Sequence, residues 1–397
     1  MKNFLILSDI HASSQNPSGP EAESYVSSFN AAAVGRTDPI QELERLIRDH
    51  NLEPDFILCA GDITNRSDPA SLTYAWQRLN SLASGIGSQL VATVGNHDLD
   101  SRYKANGFDP RGYAMALRPE IPRPDRTAFL EYWAEHFTLL EFPDCNILVL
   151  NTAAFHGGGS DVQVELEHGR VSEATVAAIG ERLASAQSAG TNLVLCHHHP
   201  LRADPTDLEH AGQTRGGEKL LEVLEGSHRP WIIVHGHKHR PDLFYSSGSS
   251  NAPVILSSAS FSAQVNKDAQ NKDPNQVHLL RCDPASATKF SLTSAGGVMS
   301  WTWQPGAGWR EARDEQGLPH RAGFGFRGST RALAEQVAAH LESSGVETLR
   351  GRVAIEVVPE IAYLTPSDFR GFEHALRKLG LEVIIDRNGG LAEVGRP

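Results

Sequence analysis

Short apolar runs recur through the first 240 residues, and each stops abruptly at polar residues. FLIL, FILCA, LVATV, NLVLC and WIIV, ending at Leu7, Ala60, Val94, Cys196 and Val234, have the length of buried strands rather than helices. Between them the apolar spacing changes to a helical period. Asp38-Pro39-Ile40-Gln41 reads as an N-cap, a proline at the first helical position and a capping-box glutamine. Ile40, Leu43, Leu46 and Ile47 then form one stripe. Asp68-Pro69 opens a second helix with Leu72, Ala75, Trp76, Leu79 and Leu82 inside. Thr127–Phe137 predicts a helix and Asn146–Asn151 a strand. Ser172 caps a helix bearing Val176, Ile179 and Leu183, and another surrounds Glu218–Leu224. Strand-like runs follow at Val254–Ser258, Val277–Arg281, Lys289–Thr293 and Val298–Trp303. Strands alternate with helices early and dominate later, which implies an α/β fold of two stacked sheets with helices outside.

The polar stretches divide this pattern. Ala12–Arg36 is rich in Gly, Pro and Ser and reads as a long loop or lid, and Leu99–Pro124 as a loop on the substrate side. Gly157-Gly158-Gly159 reads as a turn, because no G-x-x-x-x-G-K sequence follows to cradle phosphate. Residues 304–327 are rich in Gly, Pro and charge and are expected to link a catalytic domain, 1–303, to a small α/β accessory domain, 328–397. In that domain Ser329 caps a helix with Leu333, Val337 and Leu341, and Val353–Val358 alternates like a strand. Thr365-Pro366-Ser367-Asp368 opens a helix with Phe369, Phe372, Leu376 and Leu379 that Gly380 ends, and Leu381–Ile385 is the last expected strand. A unit of about 70 residues is marginal alone, so it is expected to bind a protein partner, mediate self-association or restrict substrate access.

Charge narrows the partners. The 397 residues carry 36 Lys and Arg against 48 Asp and Glu, a net charge of −12, which disfavours a general nucleic-acid surface. The four cysteines, Cys59, Cys145, Cys196 and Cys282, form no C-x-x-C pair and imply reduced thiols in a cytoplasmic setting. The N-terminal apolar run is too short for a secretory signal and is interrupted by Ser8-Asp9; no stretch approaches a membrane span.

Candidate chemistry lies where the runs stop. They deliver Asp9-Ile10-His11, Gly61-Asp62, Gly95-Asn96-His97-Asp98, His197-His198-His199-Pro200 and His235-Gly236-His237-Lys238-His239. The strand ends of an open α/β sheet are where ligands bind. Carboxylate, imidazole and one carboxamide suit borderline-to-hard divalent ions rather than a thiolate site. A carboxylate can bridge two ions about 3.5–4 Å apart. His237 and His239 can share one side of an extended segment, and Gly236 lets the backbone approach closely. In the triple histidine, His197 emerges directly from the strand, with His198 as the alternative ligand.

In order, these blocks resemble the calcineurin-like metallophosphoesterase superfamily, whose pattern runs D-x-H, G-D, G-N-H-D/E, H and G-H-x-H. The resemblance covers roughly residues 1–300. It implies a four-layer α-β-β-α sandwich and two divalent metal ions, manganese, iron or zinc. It assigns Asp9, His11 and His239 to the first metal, Asp62 to the bridge, and Asn96, His197 and His237 to the second. His97 would stabilise the phosphate or protonate the leaving oxygen, with Asp98 orienting it; His199 and His235 would play supporting parts. A hydroxide formed between the metals would attack phosphorus in line. Arg66, Arg102, Lys104, Arg202 and Lys238 lie in loops beside the blocks, mostly as solvated charges, some within reach of substrate.

The motif style is closest to the cyclic-nucleotide phosphodiesterase branch, so a small phosphodiester is the expected substrate. A metal-dependent DNA or RNA nuclease is the alternative, which the acidic charge disfavours. A non-catalytic protein-binding scaffold of the same fold is a third reading, set against the intact ligand pattern.

Overall fold

A computed structural model describes residues 1–19, 21–29, 36–157, 168–201, 212–264, 274–313 and 317–397. Three parallel strands open the chain, β1 (Lys2–Leu7), β2 (Phe56–Ala60) and β3 (Gln89–Thr93). Phe4 lies opposite Phe56, and Phe56 opposite Gln89. The crossover helices Pro39–Asp49 and Pro69–Ile86 start as their sequences require. Asp38 accepts from the amides of Ile40 and Gln41, Asp68 accepts from that of Ser71, and both helices have proline in the first turn.

The second sheet is continuous in sequence: β4 (Phe137–Glu141), β5 (Cys145–Leu150), β6 (Thr191–Leu195), β7 (Trp231–His235), β8 (Asp242–Tyr245) and β9 (Val254–Ser257). Its order is β4-β5-β6-β7-β9-β8, parallel in the middle and antiparallel at both edges. The chain then returns to the first sheet through β10 (Gln276–Cys282), β11 (Gly296–Gln304), β12 (Gly308–Glu311) and β13 (Arg321–Phe324). That sheet runs β12-β11-β10-β1-β2-β3, with β13 also on β11.

Alternate residues of the middle strands face different cores. Ile147, Val149, Leu193, Leu195, Ile232 and Val234 join Phe4, Ile6 and Leu58 between the sheets. Leu148, Leu150, Val194 and Ile233 pack instead with Val176, Ile179, Leu220 and Leu224 from the helices Glu173–Ser185 and Gly217–Gly226. Burial on both faces is why these strands are apolar at most positions. The result is the expected four-layer α-β-β-α sandwich.

Three expected elements differ. Residues 304–327 are not a free linker but hold β12 and β13, because Trp309 and Phe324 are buried in the main core. Lys289–Thr293 is not a strand: Asp283 caps a helix, Pro284–Lys289, which a turn through Ser291 (φ 54°) ends. Val353–Val358 lies largely in a helix, Gly351–Val357, where Ala354 joins a tertiary core that overrides the β-branched propensity. Gly158, Gly159 and Arg202 lie outside the described residues, as do parts of the 12–36 loop. The rest of that loop is tied down by bridges from Ala12 to Thr64, Ser13 to Ser27 and Ser24 to Ala263.

The C-terminal residues form a unit with its own core. Helices Thr330–Ser344, Gly351–Val357 and Pro366–Lys378 pack on β14 (Thr348–Arg350), β15 (Glu382–Ile385) and β16 (Leu391–Gly395) through Leu333, Val337, Leu341, Phe372, Leu376 and Val394. Ser329 and Thr365 cap the long helices. The unit is moored to the sandwich: Arg327 lies 3.8 Å over the Tyr245 ring, and Asn388 donates to Glu311 at 2.7 Å. No helix among the described residues is long and apolar enough to cross a membrane. All four cysteines are buried and unpaired.

Candidate metal centre

Both sheets point the C-terminal ends of their strands at one place. Asp9 and His11 follow β1, Asp62 follows β2, and Asn96 and His97 follow β3; His197 follows β6, while His237 and His239 follow β7. The turns after the strands are tight. Asp9, His11, Asp62, His237 and His239 all have left-handed backbones, with φ of 51°, 48°, 51°, 76° and 58°. Such conformations in non-glycine residues persist where surroundings over-determine them. Here Asp9 N donates to Gly61 O (3.0 Å), His11 N to Asp62 O (2.9 Å) and Gly236 N to His197 O (3.0 Å). Two glycines make room: a Cβ at Gly95 would overlap the Asp62 carboxylate, and one at Gly236 would overlap Ser8 Oγ and the Asp9 carboxylate.

The Asp62 carboxylate stands at the middle. Its Oδ2 is 3.3 Å from His197 Nε2 and 3.5 Å from His11 Nε2, and its Oδ1 accepts from the His97 amide at 2.8 Å. On one side, Asp9 Oδ1 is 3.3 Å from His239 Nε2 and 3.8 Å from His11 Nε2, and the two imidazole nitrogens are 3.2 Å apart. On the other, His197 Nε2 is 3.1 Å from Asn96 Oδ1 and His197 Nδ1 is 2.8 Å from Ala60 O. The His237 ring lies 5.1 Å from that of His197, and its buried Nε2 has no hydrogen-bond partner.

This donor set fits a pair of divalent cations. Buried carboxylates, imidazole nitrogens that face one another and an orphaned ring nitrogen are groups that a cation reconciles. Ligand atoms of Asp9, His11 and His239 lie within 4.8 Å of one another, as do those of Asp9, Asp62 and His197. Burial opposes ionisation of Asp9 and Asp62, yet the imidazoles hold both well below the usual carboxylate range: His239 leads at Asp9, and His197 at Asp62. Burial likewise pushes His197 down, but Asp62 and Asp9 outweigh it and raise it to about 9. Positive charge is thus favoured beside the two carboxylates, whereas burial pushes His97 and His237 down.

His97 does not lean on its sequence neighbour. The Asp98 carboxylate is buried and accepts from the amides of Thr64 and Gly95, both at 2.9 Å. Burial, then the charge of Asp62, raises its pKa to about 7. The expected orienting role thus fails on geometry, and Asp98 instead holds the β2 and β3 loops together. The ring partner of His97 is Asn65, whose Oδ1 is 2.9 Å from Nδ1. Asn65 Nδ2 donates to Glu23 at 2.7 Å, which fixes the amide orientation. Glu23 also binds Arg66 at 2.9 Å. Asn65 is not among the residues expected from the sequence, where its one signal is its place as a polar loop residue three positions after Asp62.

His198 turns to Thr152, with Nδ1 2.8 Å from the hydroxyl oxygen, and its buried Nε2 lacks a hydrogen bond. Its ligand atoms still fall in one group with those of His197 and His237. His199 and His235 are buried without touching Asp62 or Asp9, and burial pushes them down to about 3 and about 4.

A model of the family described as calcineurin-like phosphoesterase matches residues 2–241, and the chain belongs to that family. A second model, wHTH-Calcineurin_assc, matches residues 322–378. The chain is 25% identical over 228 residues to the cAMP/cGMP dual specificity phosphodiesterase MT0825 of Mycobacterium tuberculosis, covering 57% of this chain and 60% of the relative. It is 28% identical over 210 residues to the 3',5'-cyclic adenosine monophosphate phosphodiesterase CpdA of Escherichia coli K12, covering 52% and 62%. The matches thus span under two thirds of either relative. Among solved structures, a dimetal phosphatase from Danio rerio aligns with a TM-score of 0.44 at 11% identity, covering 83% of this chain and 97% of that one.

Proposed function

We propose that this chain hydrolyses a small phosphodiester, with a cyclic nucleotide as the leading substrate, at a two-cation centre held by Asp9, His11, Asp62, Asn96, His197, His237 and His239. The observation that carries this reading is the convergence on Asp62, whose carboxylate lies within 3.5 Å of imidazoles from both sheets. A divalent pair there, when bound, polarises phosphoryl oxygens and lowers the pKa of water. The chain's own residues do the rest. Asp62 and Asp9 supply the negative charge that retains cations. His97 holds its ring in place through Asn65, with Nε2 turned away from that contact and available for a phosphoryl or leaving-group oxygen. The relatives named for cyclic-nucleotide phosphodiesterase activity support the substrate class.

The match of residues 322–378 to a wHTH-named model gives the nuclease reading its one specific support. The net charge of −12 weighs against it. One panel separates the readings: 3',5'-cyclic AMP, bis(p-nitrophenyl) phosphate, p-nitrophenyl phosphate and single-stranded DNA, each with Mn(II). We expect both small diesters to be cleaved faster than the monoester or DNA. Asp62→Asn should lose activity, and elemental analysis of the reconstituted protein should find two ions per chain. Preference for DNA would favour the nuclease, and inactivity on every substrate by a two-ion protein would sink the catalytic reading.

A further inference from the structure

A cleft of about 860 Å³ separates the sandwich from the C-terminal unit, and none of the candidate metal ligands lines it. That is the size of pockets that hold drug-sized molecules. Its floor is the outer face of β10, β11 and β13. Val298 points into the main core, so its neighbours Gly297 and Met299 face the opposite side. Gly297 pairs with Arg281 on one flank and with Gly323 on the other, while Met299 pairs with Arg321. The floor is therefore bare beside Arg281. A Cβ on Gly297 would meet only Ala322 O, at 3.2 Å. The opposite wall sets Leu364 and Phe369 beside the charged Arg370 and Glu373.

The charges around this floor are unbalanced. Each acidic group of the rim is already engaged. Asp283 accepts from the Ser286 amide and hydroxyl, Asp386 from the amides of Asn388 and Gly390, and Glu373 pairs with Arg377 at 2.7 Å. Among the described residues no ion pair engages Arg281, Arg321 or Arg370, and the buried Arg281 Nε has no hydrogen-bond partner. Unpaired guanidiniums next to an apolar floor match a ligand with an acidic head and an apolar body.

We propose that this cleft binds a small phosphate- or carboxylate-bearing molecule with an apolar body of ring size. Arg281 and Arg321 hold the acidic head. The body lies over Gly297 and Met299, against Phe369 and Leu364. The ligand touches both the sandwich and the C-terminal unit and clamps one to the other.

Calorimetric titration of the full chain with (1-naphthylmethyl)phosphonate, which has no hydrolysable ester, tests this. Saturable binding is expected, with methylphosphonate and 1-naphthalenemethanol each weaker by at least about tenfold, since each lacks half of the recognition. Arg281→Ala and Arg321→Ala should each weaken the probe by about tenfold, the loss of a charge-assisted bond. Gly297→Leu should block it by filling the floor. Arg321 is exposed, so its variant folds even if the others do not, as circular dichroism will report. Asp62→Asn should bind as the parent does, which keeps this result independent of the catalytic reading. No saturable binding, binding indifferent to the folded variants, or loss of binding in Asp62→Asn would overturn the proposal.

Discussion

His97 and Asn65 show how one side chain depends on another at the centre. His97 follows Asn96 directly, its amide is fixed by Asp62, and its ring is fixed by Asn65, which Glu23 fixes in turn. If His97 assists the departing oxygen, His97→Ala should lower turnover by about 10²–10⁴-fold, the range for general acid–base help. Metal content should stay the same, because the seven proposed ligands remain. Asn65 acts only through His97, so Asn65→Ala should cost about 10–100-fold, as for other residues that orient a functional imidazole. In the His97→Ala background it should cost almost nothing. Steady-state kinetics of the two single variants and the double variant decide this. Additive losses would mean that Asn65 contacts substrate itself. The Asp98 reading failed because adjacency in sequence says nothing of direction once the chain leaves a strand: His97 and Asp98 diverge, one to the site and one to backbone amides.

The strands were legible because burial on both faces writes an unmistakable run, and every ligand block follows one. Elements with weaker signals were not. β12 and β13 are four residues each, at sheet edges among Gly and Pro, and only Trp309 and Phe324 betray their burial. β16, hidden in a Gly-rich tail, pairs with both β14 and β15, a long-range partnership that local pattern cannot reveal. A buried polar residue in a recognisable strand makes a different prediction. His278 in β10 is fully buried, with Nδ1 2.8 Å from Ser300 Oγ and Nε2 facing the Ala259 amide at 3.5 Å. The neutral ring satisfies both contacts, whereas a proton on Nε2 would confront an N–H. Burial pushes its pKa from the ordinary 6.5 down to about 3. Below 6.5 the unfolded chain therefore binds a proton that the folded chain refuses. The stability due to the neutral ring is full above 6.5 and is lost as pH falls towards 3. At about pH 5 the loss should reach about 2 kcal/mol. His278→Gln, which does not titrate, should lack this component. Urea unfolding of both proteins at neutral pH and at about pH 5 should show the parent losing about 2 kcal/mol relative to the variant. A difference that does not change with pH would mean that His278 is protonated in the fold.

At the scale of the whole molecule the question is what the C-terminal unit does for the sandwich. Composition alone suggested that the sandwich stops near residue 303, but the first sheet continues through β12 and β13 to Phe324. Trp309 is buried and donates to Pro39 O at 2.9 Å, so residues past 303 also hold the first crossover helix. The tail itself has a complete core, so its removal need not expose the sandwich's interior. A chain shortened to end at Arg327 should therefore fold, retain two ions and hydrolyse a small activated phosphodiester at a rate close to the full chain's. A chain ending at Pro305 should be much less stable. Trp309 and Phe324 are both lost from the core, and deletion of one large aromatic side chain alone costs about 3–5 kcal/mol. Thermal unfolding, metal analysis and bis(p-nitrophenyl) phosphate hydrolysis on the two shortened chains test the division. Were the Arg327 chain to fold and hold both ions yet prove inert, the C-terminal unit would have to complete the active site. Were the Pro305 chain as stable as the longer one, β12 and β13 would be ornaments on the sheet rather than part of its core.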